Sequence, residues 1–220
     1  MELAQNLYKL MKEHANEENR VPMENYMKNQ FPFFGIKSPE RKKLVSVFFK
    51  EAGVFKEPFS HQLVRELWSF PQREMQYAAL DYCGKFIKKF AKEDITFFKE
   101  LLISKSWWDT VDSIAPPIIG AIAMRFPETA EEYMEGWAVH ENMWLRRTAI
   151  LFQLKYKNNT DVERLYRYIC LNADSKEFFI QKAIGWALRE YSKTDPASVR
   201  KFIESTDLAK LSVREGSKYI

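Results

Sequence analysis

A chain of 220 residues with 46% hydrophobic and 15% aromatic content can build a continuous core, which excludes a disordered protein and fits one domain over residues 1–220. Its 34 Lys and Arg against 30 Asp and Glu leave a formal charge of +4, a mild basic bias that allows an anionic partner without naming one. Cys83 and Cys170 form no C-x-x-C pair and His14, His61 and His140 are scattered, so the pattern speaks for free buried thiols in a reducing compartment, without metal or other cofactor.

At the N-terminus, Leu3, Leu7, Leu10, Met11 and His14 fall at the spacing of an amphipathic helix, not of a cleaved signal peptide. Ser38-Pro39-Glu40 then supplies an N-cap, a first-turn proline and an early acid for the next strong helix. None of the seven glycines follows Asn or Asp and no Gly-Gly occurs, so the sharpest hairpin signals are missing and sheet has little support. Roughly a dozen helices are expected.

The segment Trp107-Trp108-Asp109-Thr110-Val111-Asp112 places Trp108 and Asp112 one helical turn apart on a shared face. Pro116 and Pro117 follow, and inside a helix they would remove the donors for the carbonyls of Asp112 and Ser113 and force a bend. That bend either aims Asp112 or accommodates a curved stack. The apolar run from Ile114 to Met124 is too short to span a bilayer, so a cytoplasmic protein without membrane association is expected.

Further along, Arg147 is flanked at helical spacing by Met143, Trp144, Ile150 and Leu151, so its stem should be packed and its guanidinium aimed at something specific. A bound anion and a structural pair with Asp112 are equally good targets. In the helix expected over Lys176–Ser192, the apolar stripe runs through Ile180, Ile184, Ala187, Leu188 and Tyr191. Trp186 falls outside it, among Lys182, Arg189 and Glu190, as expected of an indole that lines a groove. Trp68, Trp137 and Trp144 read as core instead. Thr194-Asp195-Pro196 opens a last strong helix.

Four segments, M-Q-Y-A-A-L, V-D-S-I-A-P, L-R-R-T-A-I and I-Q-K-A-I-G, superpose on Ala79, Ala115, Ala149 and Ala183, at intervals of 36, 34 and 34 residues. Two helices and their turns fill such an interval, so the expected fold is all-α, a solenoid of HEAT-like helical pairs with a concave groove. Asp112 lies three residues before its alanine and Arg147 two before its own, so repeat register alone makes these side chains neighbours. Basic clusters at Lys37, Arg41, Lys42 and Lys43, at Lys85, Lys88 and Lys89, and at Arg146, Arg147, Lys155 and Lys157 would suit a stripe that tracks duplex phosphates. No Walker loop, G-x-S-x-G elbow or kinase motif is present.

The motifs N-Y-M-K-N from Asn25, G-I-K-S-P-E-R from Gly35, R-E-L-W from Arg65, K-S-W-W-D-T-V-D-S-I from Lys105, W-L-R-R-T-A-I-L-F-Q-L-K-Y-K from Trp144 and S-K-E-F-F-I-Q-K-A-I-G-W-A-L-R-E-Y from Ser175 resemble the bacterial DNA alkylation repair glycosylases of the AlkD family. The resemblance covers nearly the whole chain. It implies a lesion cleft formed by Trp108, Trp186 and Asp112, with Arg147 contacting DNA beside them and Tyr26 at the DNA surface. It also implies duplex DNA carrying cationic N3- or N7-alkylated purines as substrate, an abasic site as product, no extrusion of the base into a pocket, and a monomer.

Overall fold

The computed structural model describes residues 2–220, and among them no strand occurs. The chain divides into two compact helical units, one ending at Lys89 and one running from Phe90 to Ile220. The N-terminal unit contains α1 (Glu2–Glu13), α2 (Glu17–Tyr26), α3 (Ser38–Glu51), α4 (His61–Ser69) and α5 (Arg73–Cys83). The C-terminal unit contains α6 (Asp94–Ile103), α7 (Trp108–Ile114), α8 (Gly120–Arg125), α9 (Glu135–Ala138), α10 (Met143–Leu151), α11 (Val162–Cys170), α12 (Phe178–Tyr191), α13 (Pro196–Ser205) and α14 (Lys210–Gly216).

In the N-terminal unit α1 buries Ala4, Leu7 and Met11, the face its periodicity foretells. Asn16 caps α2 by accepting from the Asn19 amide, and α2 ends on Tyr26, whose ring is 71% exposed. The cap of α3 is Lys37 and not the expected Ser38; Ser38 is already helical, with no side chain capping the turn and Pro39 close behind. What holds the approach to α3 is Glu74. Its fully buried carboxylate accepts from the amides of Phe34, Gly35 and Ile36 at 3.0, 2.9 and 3.2 Å, while Glu24 accepts from Phe33 at 3.1 Å. Gly35 has φ +87°, and a Cβ there would stand 2.0 Å from the Asn16 carbonyl oxygen, so only glycine fits.

The C-terminal unit repeats one device. Tyr156 Oη donates to the Gly120 carbonyl at 2.6 Å, Asn172 Nδ2 to that of Ala138 at 2.9 Å, and Ser212 Oγ to that of Gln181 at 3.0 Å. These bonds join residues 36, 34 and 31 positions apart, close to the interval between the repeated alanines. The alanines are buried: Ala115, Ala149 and Ala183 here and Ala79 in the N-terminal unit expose at most 1%. Small residues at that register let successive helices approach, and α10 packs on both α7 and α12. Among the glycines of this unit Gly120 marks the tightest approach, since a Cβ on it would lie 2.2 Å from the Phe152 carbonyl oxygen.

Cys83 is buried as expected, but Cys170 is exposed, because the last turn of α11 turns that position outward from the Leu165, Tyr168 and Ile169 face. Among the described residues no helix is long and apolar enough to cross a membrane, and no cluster of His, Cys, Asp and Glu has the makings of a metal site. Gly120→Ala is expected to destabilise the chain by about 1–3 kcal/mol, because the obstructing atom is backbone and cannot swing away. The midpoint of urea unfolding measures this, and an unchanged midpoint would contradict the tight approach.

Candidate active site

Trp107 precedes α7 in an extended conformation, φ −156° and ψ 164°, and its carbonyl accepts from the Val111 amide at 3.1 Å. The helix therefore starts at Trp108, and Asp112 follows one turn later. Beyond Ile114 the helix widens into a π-helical turn over Ala115–Ile119, in which the Gly120 amide donates to the Ala115 carbonyl five residues back. Pro116 and Pro117 account for it, since neither can donate to the carbonyls of Asp112 and Ser113. The expected bend thus takes the form of a wider turn immediately after the acid.

Arg147 meets Asp112 with a two-pronged fork: Nε donates to Oδ1 and Nη2 to Oδ2, both at 2.8 Å. Its remaining nitrogen, Nη1, donates to the carbonyl of Phe179 in the first turn of α12. One guanidinium on α10 thereby ties α7 to α12, and the structural pairing that the sequence leaves open is present. The Arg147 side chain is 5% exposed and that of Asp112 17%, so the cation is enclosed and the carboxylate retains a face to solvent.

The elements that carry the pair also bring three aromatic rings together. Trp107 and Trp144 have ring centroids 5.8 Å apart, Trp107 and Phe179 5.0 Å, and Trp144 and Phe179 5.1 Å. Phe178 leans edge-on against Phe179 and is itself 58% exposed. With the guanidinium's side chain only 5% exposed, the low local dielectric strengthens its charge-assisted bonds to Asp112. Burial pushes the Asp112 carboxyl above its usual range, and the hydrogen bonds and charge of Arg147 pull it back without fully offsetting that rise.

Trp108 and Trp186 are both half-buried. Trp186 rests against the core formed by Ile180, Ile184 and Leu188, so it is more sheltered than its polar neighbours in sequence imply. It stands two turns beyond Phe179 on the same face of α12, about 10 Å along the axis from the residue that anchors Arg147. Lys182 and Arg189 lie one turn to either side of it, a flanking pair that the basic clusters of the sequence did not include.

The other cations differ in what they present. Lys37 is exposed at the start of α3. Arg146 is half-buried and donates to the carbonyls of His140 and Glu141 at 2.7 and 3.0 Å, which fixes the turn before α10. Arg41 corrects the sequence reading. It is 7% exposed, donates to Asp81 Oδ2 at 3.2 Å and stacks 4.6 Å above the Tyr77 ring, so it is committed inward and does not join a solvent-facing row. Asp81, 40 residues away, draws it in.

Arg147→Ala is expected to cost about 1–3 kcal/mol of stability, the penalty for leaving a largely buried acceptor unpaired. In a double-mutant cycle the cost should fall when Asp112 is already Asn, because no uncompensated carboxylate then remains. Additive unfolding free energies would show that the two side chains are not coupled.

Residues 7–220 match the model of a family described as DNA alkylation repair enzyme. The fold matches a structure described as a predicted DNA alkylation repair enzyme from Enterococcus faecalis, with TM-score 0.86 and 36% identity over 94% of this chain and 96% of that one. The smu.31 protein of Streptococcus mutans UA159 shares the fold more distantly, with TM-score 0.59 and 17% identity over 99% of both chains. No curated protein matches the chain. With nearly its whole length covered, the chain belongs to the DNA alkylation repair enzyme family.

Proposed function

We propose that the chain is a DNA N-glycosylase that releases cationic N3- and N7-alkylated purines from duplex DNA, acting as a monomer, with Asp112 as the catalytic carboxylate. The observation that carries this reading is the partly exposed pairing of Asp112: both oxygens are fixed by Arg147, yet the 17% exposed side chain keeps a face to solvent.

A carboxylate offers about four lone-pair directions, and the guanidinium fork takes two. The other two are left for water and for a developing cation. An N3- or N7-alkylated purine already carries the positive charge that makes it a good leaving group, so no acid is required to protonate it, unlike ordinary glycoside hydrolysis. As the bond from C1′ to the purine nitrogen lengthens, its electron pair passes to the base and neutralises it, and positive charge builds on the deoxyribose. Ionised Asp112 stabilises that oxocarbenium ion and accepts a proton from the water whose oxygen bonds to C1′. Trp108 and Trp186 offer electron-rich faces to the same cation, each worth about 0.5–2 kcal/mol.

Tyr26 and Lys37, exposed in the N-terminal unit, and Arg146 in the C-terminal unit are assigned to contacts with the DNA strands. Arg147 acts chiefly through Asp112, orienting it and favouring its ionised form. Selectivity on this reading comes from the lability of the charged base, so the base need not be turned out into a pocket and bulky adducts are tolerated.

Release of free 7-methylguanine or 3-methyladenine from alkylated duplex is the direct test. Asp112→Asn should bind DNA as the parent does and lose about 10²–10³-fold in base release, the size expected for removing one preorganised electrostatic group. A parent chain that binds alkylated duplex and frees no base would make it a binding module, and one that ignores DNA a protein scaffold.

The pH dependence follows from the raised Asp112 pKa. Chemistry needs the ionised form, so base release should fall on acidification through a limb lying above the ordinary aspartate value of 3.8. In Arg147→Ala, which loses the charge favouring ionisation, that limb should move to still higher pH. A limb unmoved by this substitution would separate the acid limb from Asp112.

A further inference from the structure

Lys182 and Arg189, on either side of Trp186, both reach Glu215 on α14. Lys182 Nζ lies 3.3 Å from Oε1 and Arg189 Nη1 3.1 Å from Oε2. From α14 and the turn after it, Arg214 Nη2 approaches Oε1 at 3.8 Å and Lys218 Nζ approaches Oε2 at 2.7 Å. A single carboxylate gathers four cations.

Depth separates their roles. The Glu215 side chain is 9% exposed, whereas those of Arg189, Lys182, Lys218 and Arg214 are 27, 37, 48 and 72% exposed. The acid is the floor and the cations are the rim. Two guanidinium and two ammonium groups carry far more N–H donors than one carboxylate can accept, so most of them point elsewhere.

The floor is fixed by backbone. A Cβ on Gly185 would stand 2.5 Å from the Glu215 Cβ and 3.1 Å from the Ser212 carbonyl oxygen, and one on Gly216 would stand 3.0 Å from the Leu188 Cβ. Ser212 Oγ also donates to the Gln181 carbonyl at 3.0 Å. With both glycines bare, α14 lies directly on the face of α12 that carries Lys182, Gly185 and Arg189. Lys218, and Lys182 after it, hold the Glu215 carboxyl down at about 2, so it is an anion at any working pH.

Stability alone is a poor reason for this cluster. Exposed ion pairs contribute little, and the positive charges in excess of the single acid repel one another until a counter-anion arrives. The rim borders Trp186, and cations beside an indole suit a strand in which anions alternate with flat rings.

We infer that Glu215 organises Lys182, Arg189, Arg214 and Lys218 into a phosphodiester-binding site that seats one DNA strand beside Trp186. Glu215 is a positioning residue and does not itself touch the strand. The inference rests on the reading that the chain acts on duplex DNA.

The test is fluorescence anisotropy with an unmodified duplex oligonucleotide across a series of salt concentrations, joined to base-release kinetics on alkylated duplex. Lys218→Ala and Arg214→Ala should each flatten the slope of log K against log salt by about 0.9, the loss of one phosphate contact. Glu215→Gln should bind more weakly even though it makes the chain more positive, and Glu215→Asp should recover part of the loss. In base release the effect should raise KM and leave kcat unchanged, since the strand is held equally before and during reaction.

Tighter binding by Glu215→Gln would show that the acid only offsets charge, and would overturn the inference. So would unchanged salt slopes in both Lys218→Ala and Arg214→Ala, two exposed positions whose variants keep the test open should Glu215→Gln fail to fold. Those outcomes with parental DNA binding intact sink this inference alone. A parent that shows the expected slopes and frees no base sinks the glycosylase reading and supports the phosphate site, and a parent that binds no DNA sinks both.

Discussion

The arrangement of the C-terminal unit turns on one buried cation facing an anion that keeps a narrow face to solvent. Arg147 is 5% exposed and spends its nitrogens on Asp112 and the Phe179 carbonyl, so three helices share its geometry. A buried ion pair of this kind is not chiefly a source of stability, because desolvation consumes most of its Coulomb energy. Its contribution is direction. Because the folded pKa of Asp112 lies above its ordinary value, the folded chain holds that proton more tightly than the unfolded one. Stability from this group is therefore greatest in acid and declines as pH rises through the folded pKa. The ionised form that chemistry would use is the one folding tolerates least, and Arg147 is what makes it tolerable.

Three largely buried carboxylates of this chain show how the choice of partner sets the use. Glu74 faces only backbone amides and is fully buried; burial raises its pKa, but with no oxygen accessible it serves to hold the segment before α3. Glu215 faces four cations, and its pKa of about 2 bars it from accepting a proton. Asp112 alone combines a raised pKa, a single bidentate partner and access to solvent. Of the three, only it can exchange interactions with a molecule arriving from outside.

What was legible in the sequence was whatever follows from periodicity. The repeated alanines gave the register, and the register brought Asp112 and Arg147 together across 35 residues. Pro116 and Pro117 announced a disturbed helix, since a missing donor is visible in the residue type itself. Trp68, Trp137 and Trp144 took the core positions expected of most tryptophans. What was not legible depended on single contacts without a repeat. Arg41 turned inward for Asp81, and Cys170 outward on its last turn. Trp107 joined a ring cluster with Trp144 and Phe179, although its neighbour Trp108 drew the attention. Glu215 gave no signal, because its cations come from α12 as well as from its own helix and no spacing rule joins them.

The guanidinium fork also discriminates between two ways a lone carboxylate can break a glycosidic bond. A general acid must hold a proton at the pH of reaction, and evolution of such a group favours apolar surroundings that keep it neutral. Placing a fixed cation at 2.8 Å from each oxygen works against this, since it favours the charged form and takes one lone-pair direction on each oxygen. Asp112 so restrained suits a reaction whose leaving group needs no proton and whose transition state is positive. An uncharged purine, which leaves only after protonation, finds no donor in this pair. On the proposed reading, the interaction that orients the acid also favours a base already made cationic by alkylation.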